Sequence, residues 1–343
     1  MAKKGLKLDN IYQLVAPDKG WSLCVGAGCS FPLFPSWEEF AMSVARKCIG
    51  QPQVPDQIKD IFSPEVILQI AYERAQRPDD FVKSMGEKLY NGVFKGLSPD
   101  KKTLVATCLS KQTPSRNTDW GEYLQIINNK GITTSHYLAK FIAKSIYEIN
   151  RPPRSILTFN AEILLPSLIN AYCHQQYKKY NKVLDYMVEP TSAQYQHRIP
   201  YYFCHGVIPV PYSNSAAQHY FNAADKLVFS ENEYLQLANS VFSWQSSSFM
   251  NTLTNNTVFF VGLSLRDPNI RRWLAWIQKS KLTAINLITD DCVNSTSHYW
   301  IERDPKKPNL RAWYEASVAH LGIRMIWVDD YSQIVDVLEK GIK

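Results

Sequence analysis

Short apolar runs alternate with longer amphipathic segments along most of this chain. Six runs predict strands, at residues 23–25, 154–158, 201–204, 257–261, 284–289 and 323–328, and a weaker run predicts another at 182–188. The apolar positions are consecutive instead of alternating, which is typical of strands buried on both faces of a parallel sheet. Helical patterns follow most of the runs. The sequence therefore predicts an α/β fold with a doubly wound, mostly parallel sheet.

The helical pattern is clearest over residues 37–49, where apolar side chains recur three to four positions apart and Ser36 is a candidate N-cap. From about residue 51 to residue 150, helix follows helix without a convincing strand, at 64–75, 79–90, 100–109 and 135–149. We interpret residues 38–150 as a helical insertion within one domain that spans residues 1–343. Further helices are predicted at 8–15, 162–180, 231–244, 269–279, 310–320 and 332–338, with Asp267 as the N-cap of the 269–279 helix.

The first of these strands ends in a glycine turn, Gly26-Ala27-Gly28-Cys29-Ser30. A strand, a glycine turn and a helix together can present backbone N–H groups and a positive helix end to a phosphate, as in Rossmann-like nucleotide sites. Glycine suits such a turn because a Cβ would hold the phosphate away from the backbone. The dinucleotide fingerprint is incomplete, since Phe31 stands at its third glycine. An ordinary turn after a buried strand explains the stretch equally well.

Three other predicted strands also end in polar residues or glycine: Thr158–Asn160, His205-Gly206 and Gly262–Ser264. Ligands of doubly wound folds collect outside the carboxyl ends of the strands, so these clusters are expected to converge on one cleft. An asparagine amide both donates and accepts hydrogen bonds, and a histidine titrates near working pH. Taken alone, Asn160 could be a turn former and His205 a structural loop residue.

Composition and charge exclude only a few classes of protein. No apolar run is long enough to span a membrane and the N-terminus lacks a signal-like apolar segment, so a cytoplasmic protein is expected. The net charge of +7 is spread along the chain, which is typical of ordinary surface, suits an anionic ligand, and leaves direct nucleic-acid contact open. The seven cysteines form no CxxC pair and no HExxH motif occurs, so no metal is expected.

The ordered set of strand-end motifs resembles the sirtuin-like family, whose members show GAG-x-S, T-x-N-x-D, H-G and G-x-S in this order. The corresponding stretches here are Gly26–Ser30, Thr158–Glu162, His205-Gly206 and Gly262–Ser264. The flanks around Pro35–Trp37, Phe260–Asn269 and Gly322–Asp330 look like the bacterial NAD-consuming branch of phage-defence systems. Glu162 replaces the usual aspartate, and the zinc-binding CxxC pairs of the protein deacylases are missing.

The resemblance implies an enzyme that takes NAD as its substrate and cleaves it to nicotinamide and ADP-ribose. It implies Asn160 and His205 as catalytic residues, and as cofactor-binding residues Gly26, Ala27, Gly28, Cys29, Ser30, Thr158, Gly262 and Ser264. An NAD-depleting enzyme must be silent in a healthy cell. A homo-oligomer and a regulatory partner, an ATPase or a nucleic-acid-guided protein, are therefore expected. The alternatives are a non-catalytic module that binds NAD or ADP-ribose and, less favoured, an NAD-dependent deacylase.

Overall fold

One parallel sheet forms the centre of the protein. The computed structural model describes residues 4–189, 198–213, 227–240, 243–286 and 298–342, and its eight strands all belong to this sheet. The strands are β1 (Leu6–Lys7), β2 (Gly20–Val25), β3 (Ile156–Thr158), β4 (Leu184–Met187), β5 (Ile199–Phe203), β6 (Asn256–Val261), β7 (His298–Arg303) and β8 (Ile323–Val328). Their order is β1-β8-β7-β6-β2-β3-β5-β4, and every neighbouring pair is parallel. The predicted Rossmann-like α/β fold is confirmed.

The helices cover both faces of the sheet. They are α1 (Trp37–Ile49), α2 (Ile58–Ile61), α3 (Pro64–Arg74), α4 (Pro78–Leu89), α5 (Asn91–Phe94), α6 (Pro99–Ser110), α7 (Trp120–Lys130), α8 (Thr134–Tyr147), α9 (Leu164–Tyr177), α10 (Glu231–Asn239), α11 (Trp244–Asn255), α12 (Pro268–Asn286), α13 (Pro308–Ala319) and α14 (Ile334–Ile342). The first nine helices and α14 contribute to one apolar cluster, and α10 to α13 contribute to a second.

Consecutive strand residues belong to opposite faces, which explains the unbroken apolar runs of the sequence. In β6, Phe259 and Val261 join the first cluster, whereas Val258 and Phe260 join the second. All four side chains are fully buried. Because both faces of the strand need apolar residues, the alternation that marks a half-exposed strand is absent.

The direction in which strands are added to the sheet reverses at β2. It runs from β2 to β3 on one side, and after β5 it returns to β6 on the other side of β2. This reversal makes the carboxyl ends of β2 and β6 a topological switch point, where open α/β sheets bind their ligands. The glycine turn at residues 26–30 and the loop at residues 262–264 therefore lie side by side.

Several local predictions are wrong. Residues 8–15 form only a short 3-10 turn, Leu8–Asn10, because the preceding residues pair with β8 and the N–H groups of Gln13 and Val15 donate to carbonyls of α14. The strand predicted at 284–289 is wrong for residues 284–286, which finish α12, and residues 287–289 lie outside the described residues. The helix predicted over 231–244 ends at Asn239, and Trp244 begins α11. Four helices, α2, α5, α7 and α11, and the strands β1 and β7 were not predicted.

The close approach at the switch point gives the first testable expectation. Gly262 has a φ of +66°, and a Cβ there would lie 2.5 Å from the Cys29 backbone nitrogen. Gly50 also has positive φ, but its Cβ would meet nothing within 4 Å. Gly50→Ala should cost only backbone strain, about 1–3 kcal/mol of unfolding free energy. Gly262→Ala should cost about 1–3 kcal/mol more, because it also overpacks. Denaturant unfolding of both variants tests this, and equal losses would contradict the steric account.

Candidate functional site

Two glycine-containing loops lock together at the switch point. Gly26 donates its N–H to the Val261 carbonyl at 3.0 Å, and Gly28 donates to the Gly262 carbonyl at 3.0 Å. A Cβ on Gly28 would lie 2.9 Å from the Gly262 oxygen. Packing between two backbones therefore requires these glycines, whether or not a phosphate also approaches them.

Most backbone donors of the 26–30 turn are already used within the protein. Besides those of Gly26 and Gly28, the N–H of Cys29 donates to the Gly26 carbonyl and that of Ser30 to the Ala27 carbonyl. The N–H of Ala27 has no partner among the described residues, and Ala27 is exposed. The amino end of α1 is closed by its own capping box of Ser36 and Glu39. The donor that this turn offers a ligand is thus the N–H of Ala27.

A buried network of polar side chains lies behind the turn. The Ser30 hydroxyl is hydrogen-bonded to Glu162 Oε1 at 2.6 Å, and Asn160 donates its amide Nδ2 to the same oxygen at 2.9 Å. The backbone N–H of Leu164 donates to Glu162 Oε2. Ser30, Asn160 and Glu162 are all buried. The network holds the amide of Asn160 in one orientation, because Nδ2 is committed to Glu162.

That orientation leaves the carbonyl oxygen of Asn160 available. Asn160 is only 5% exposed, and its Oδ1 is buried without a hydrogen-bond partner among the described residues. The backbone N–H of Asn160 donates to Thr158 Oγ1 at 3.0 Å, which fixes the loop. An unpaired buried acceptor is costly, so Asn160 Oδ1 is suited to accept a hydrogen bond from a ligand hydroxyl or from water.

His205 follows β5, the strand next to β3, and its ring is enclosed by aromatic residues. The rings of Phe159, Phe229 and Tyr234 lie edge-on to it, with centroids at 5.0, 6.0 and 5.3 Å. The Tyr234 hydroxyl lies 3.5 Å from His205 Nδ1. Burial lowers the pKa of His205 to about 4, opposed by the charge of Glu65. The imidazole is therefore neutral at physiological pH and able to take a proton.

Glu65 and Tyr234 are functional candidates that sequence reasoning missed. Glu65, on α3, accepts a hydrogen bond from Trp37 Nε1 at 3.0 Å and acts electrostatically on His205, Tyr234 and Asp267. Neither residue lies in a motif or at a strand end, so only the fold brings them to His205. The helical region from residue 51 onwards thus contributes a charge to the site.

The remaining candidates have structural partners. The thiol of Cys29 is buried and contacts the Val261 carbonyl at 3.3 Å, and burial raises its pKa, so it is held as a neutral thiol. Ser264 is exposed in the loop after β6. Asp267 accepts the Asn269 N–H at 2.7 Å, which confirms its predicted capping role. His136 caps α8, because its Nδ1 accepts the Thr133 N–H at 3.0 Å.

Comparison with known proteins relates part of the chain to a known family. A model of the SIR2-like domain matches residues 156–324, which is just under half of the chain. This part of the chain is similar to a SIR2-like domain. A search of curated proteins gives no match. The matched region contains Thr158, Asn160, His205 and Gly262, and the glycine turn precedes it. The sirtuin-like resemblance is confirmed at this level, and it implies that NAD is involved.

Three further properties concern the described residues. In the described ranges, no group of three or more histidine, cysteine, aspartate or glutamate side chains is arranged to hold a metal ion. Within the same residues, no helix has the length and apolarity that a membrane crossing needs. The six cysteines that the structure describes carry free thiols, and Cys292 lies outside the described residues.

The environment of His205 predicts an unusual titration. Since burial lowers its folded pKa to about 4, the ring should stay neutral between pH 5.5 and 8. The unfolded chain binds this proton more readily, so the stability that His205 contributes is present above about pH 6.5 and is lost as the pH falls toward 4. NMR titration with His205→Gln as the assignment control tests this. A His205 pKa near 6.5 would refute the buried environment.

Proposed function

We propose that this SIR2-like protein hydrolyses NAD to nicotinamide and ADP-ribose. We further propose that it depletes NAD as an antiviral effector during phage infection, under control of its own oligomerisation and a regulatory partner. The observation that carries the catalytic proposal is the unpaired, buried Asn160 Oδ1 at the end of β3, beside the strand that carries neutral His205. The antiviral role is supported by the resemblance of the flanking motifs alone.

Cleavage of the nicotinamide–ribose bond mainly requires that the enzyme position the ribose and one water molecule. The leaving nicotinamide is a cationic pyridinium in NAD and departs as a neutral molecule, with an oxocarbenium-like transition state at the ribose. Water then adds to the anomeric carbon, and one proton must be removed. Asn160 Oδ1 would accept a hydrogen bond from a ribose hydroxyl or from this water, and His205 would take the proton. The Ala27 N–H would donate to the pyrophosphate.

Burial of His205 also favours the second candidate, a module that binds NAD or ADP-ribose without cleaving it. A histidine with a pKa of about 4 is a weak base, and its ring is packed against three aromatic residues. Release of nicotinamide separates the two functions. A deacylase would require turnover of an acylated peptide.

Substitution of the two catalytic candidates tests hydrolysis. His205→Ala and Asn160→Ala should each lower nicotinamide release by about a hundredfold or more while the melting temperature shows a folded protein. His320→Ala, an exposed histidine outside the site, is the matched control. The assay uses purified protein with NAD, with and without EDTA, and also the NAD pool of phage-infected host cells. Parent-like cleavage by His205→Ala would remove it as the base.

The Ala27 donor can be removed without filling the site. Ala27 begins the 3-10 turn after an extended Gly26 (φ −124°, ψ 177°), a position that proline adopts readily. Ala27→Pro deletes the N–H, and Ala27→Ser keeps it. A hydrogen bond to a charged group contributes about 1.5–3 kcal/mol, so NAD should bind about 10- to 100-fold more weakly to Ala27→Pro. Calorimetry in a His205→Ala background measures this, and equal affinity of the two variants would exclude the Ala27 donor.

A further inference from the structure

Two serine hydroxyl groups connect Glu162 to the glycine turn. Each hydrogen bond between oxygen atoms needs one proton, and this chain has more contacts than the two serines have protons. Glu162 Oε1 lies 2.6 Å from Ser30 Oγ, and Ser30 Oγ lies 3.1 Å from Ser135 Oγ. Ser135 Oγ lies 3.1 Å from the Cys29 carbonyl oxygen. Three oxygen-to-oxygen contacts therefore connect Glu162 to Cys29, and the two serines bring two protons.

Each of the three contacts can be a hydrogen bond only if a third proton is present. The Cys29 carbonyl is an acceptor only, so that proton would be on Glu162. With a neutral Glu162, the carboxylic acid donates to Ser30, Ser30 donates to Ser135, and Ser135 donates to Cys29. With an ionised Glu162, Ser30 must donate its proton to the carboxylate. The Ser135 hydroxyl can then donate either to Ser30 Oγ or to the Cys29 carbonyl, so one of the two 3.1 Å contacts has no proton.

The other contacts of Glu162 are compatible with a neutral acid. Oε2 accepts the Leu164 N–H as a carbonyl oxygen would. Oε1 still has a lone pair for the Asn160 amide after it donates to Ser30. We infer that Glu162 is a neutral carboxylic acid at pH 7, the first donor of a proton chain that ends on the glycine turn, and that it acts as a positioning residue.

The surroundings of Glu162 support the neutral form. Burial is the main cause that raises its pKa, and the hydrogen bonds with Ser30, Leu164 and Asn160 act in the opposite direction. The titratable groups that face it are Cys29 after β2, Tyr90 after α4, Tyr123 on α7 and Tyr201 on β5. Burial raises the pKa of each of these four groups, so all of them stay neutral and none compensates a charge. A lone buried carboxylate here would be costly.

A neutral acid has one consequence for the site, which rests on the proposed function. It removes a negative charge from behind the turn that receives the pyrophosphate, where a carboxylate would repel it. Both forms of Glu162 accept the hydrogen bond from Asn160 Nδ2, so Oδ1 remains the atom that meets the ligand. As the pH rises through the folded pKa of Glu162, the chain loses one link and NAD affinity should fall.

Infrared spectroscopy of the full chain tests the proton directly, without NAD. The parent at pH 7 should show a protonated carboxyl band that Glu162→Gln lacks. Ser135→Ala removes the contact that needs the third proton, so its band should disappear at a lower pH than in the parent. Ser145→Ala is the matched control, a buried serine on the same helix whose hydroxyl donates to Ile142. Its titration should equal that of the parent.

The outcomes are separable from those of the proposed function. A spectrum at pH 7 without a band that depends on Glu162 overturns the inference, and so does a Ser135→Ala titration identical to the parent's. If Glu162→Gln does not fold, the titrations of Ser135→Ala and Ser145→Ala still test whether Glu162 is protonated. A Glu162 band in a protein that releases no nicotinamide, and that also leaves the NAD pool of phage-infected cells unchanged, would leave the neutral acid standing and refute the hydrolase. Calorimetry should show NAD affinity falling at high pH, and falling earlier in Ser135→Ala.

Discussion

The contact on which the site depends is one between two backbones. The turn after β2 and the loop after β6 meet so closely that Gly26, Gly28 and Gly262 leave no room for a Cβ, and two backbone hydrogen bonds join them. This contact fixes the position of the Ala27 N–H and of Ser30. Through Ser30 it also fixes Glu162, and through Glu162 the amide of Asn160. A small displacement of one loop would therefore also move Ser30, Glu162 and the amide of Asn160.

The site combines few exposed polar atoms with a large buried polar network. Ser30, Ser135, Asn160 and Glu162 satisfy one another in the interior, and one carbonyl oxygen, Asn160 Oδ1, is left over. Buried polar groups that are paired become rigid, and the unpaired one keeps its capacity for a ligand. His205 has a different environment, since three aromatic rings surround it and the Tyr234 hydroxyl lies 3.5 Å from its Nδ1.

The sequence predicted the fold and the strand-end residues well, for physical reasons. Strands such as β6 and β8 are apolar over most of their length, and capped helices such as α1 carry their boundaries in local residues. The contributions of Glu65, Ser135 and Tyr234 could not be predicted, because their role depends on helices from distant parts of the chain meeting the strand ends. The strand β7 was missed since His298 and Tyr299 interrupt its apolar pattern.

The same topology has a consequence for how the chain acquires its site during synthesis. The strand β2 is made early and lies between β3 and β6, and its residue Gly20 pairs with Asn256. Closing so long a loop is entropically costly and is slow compared with local helix formation. The helices that follow β2 can fold while β6 is still being translated, but the glycine turn has no partner until residue 262 emerges. A nascent or truncated chain that ends before this loop therefore contains Asn160 and His205 without a complete ligand site.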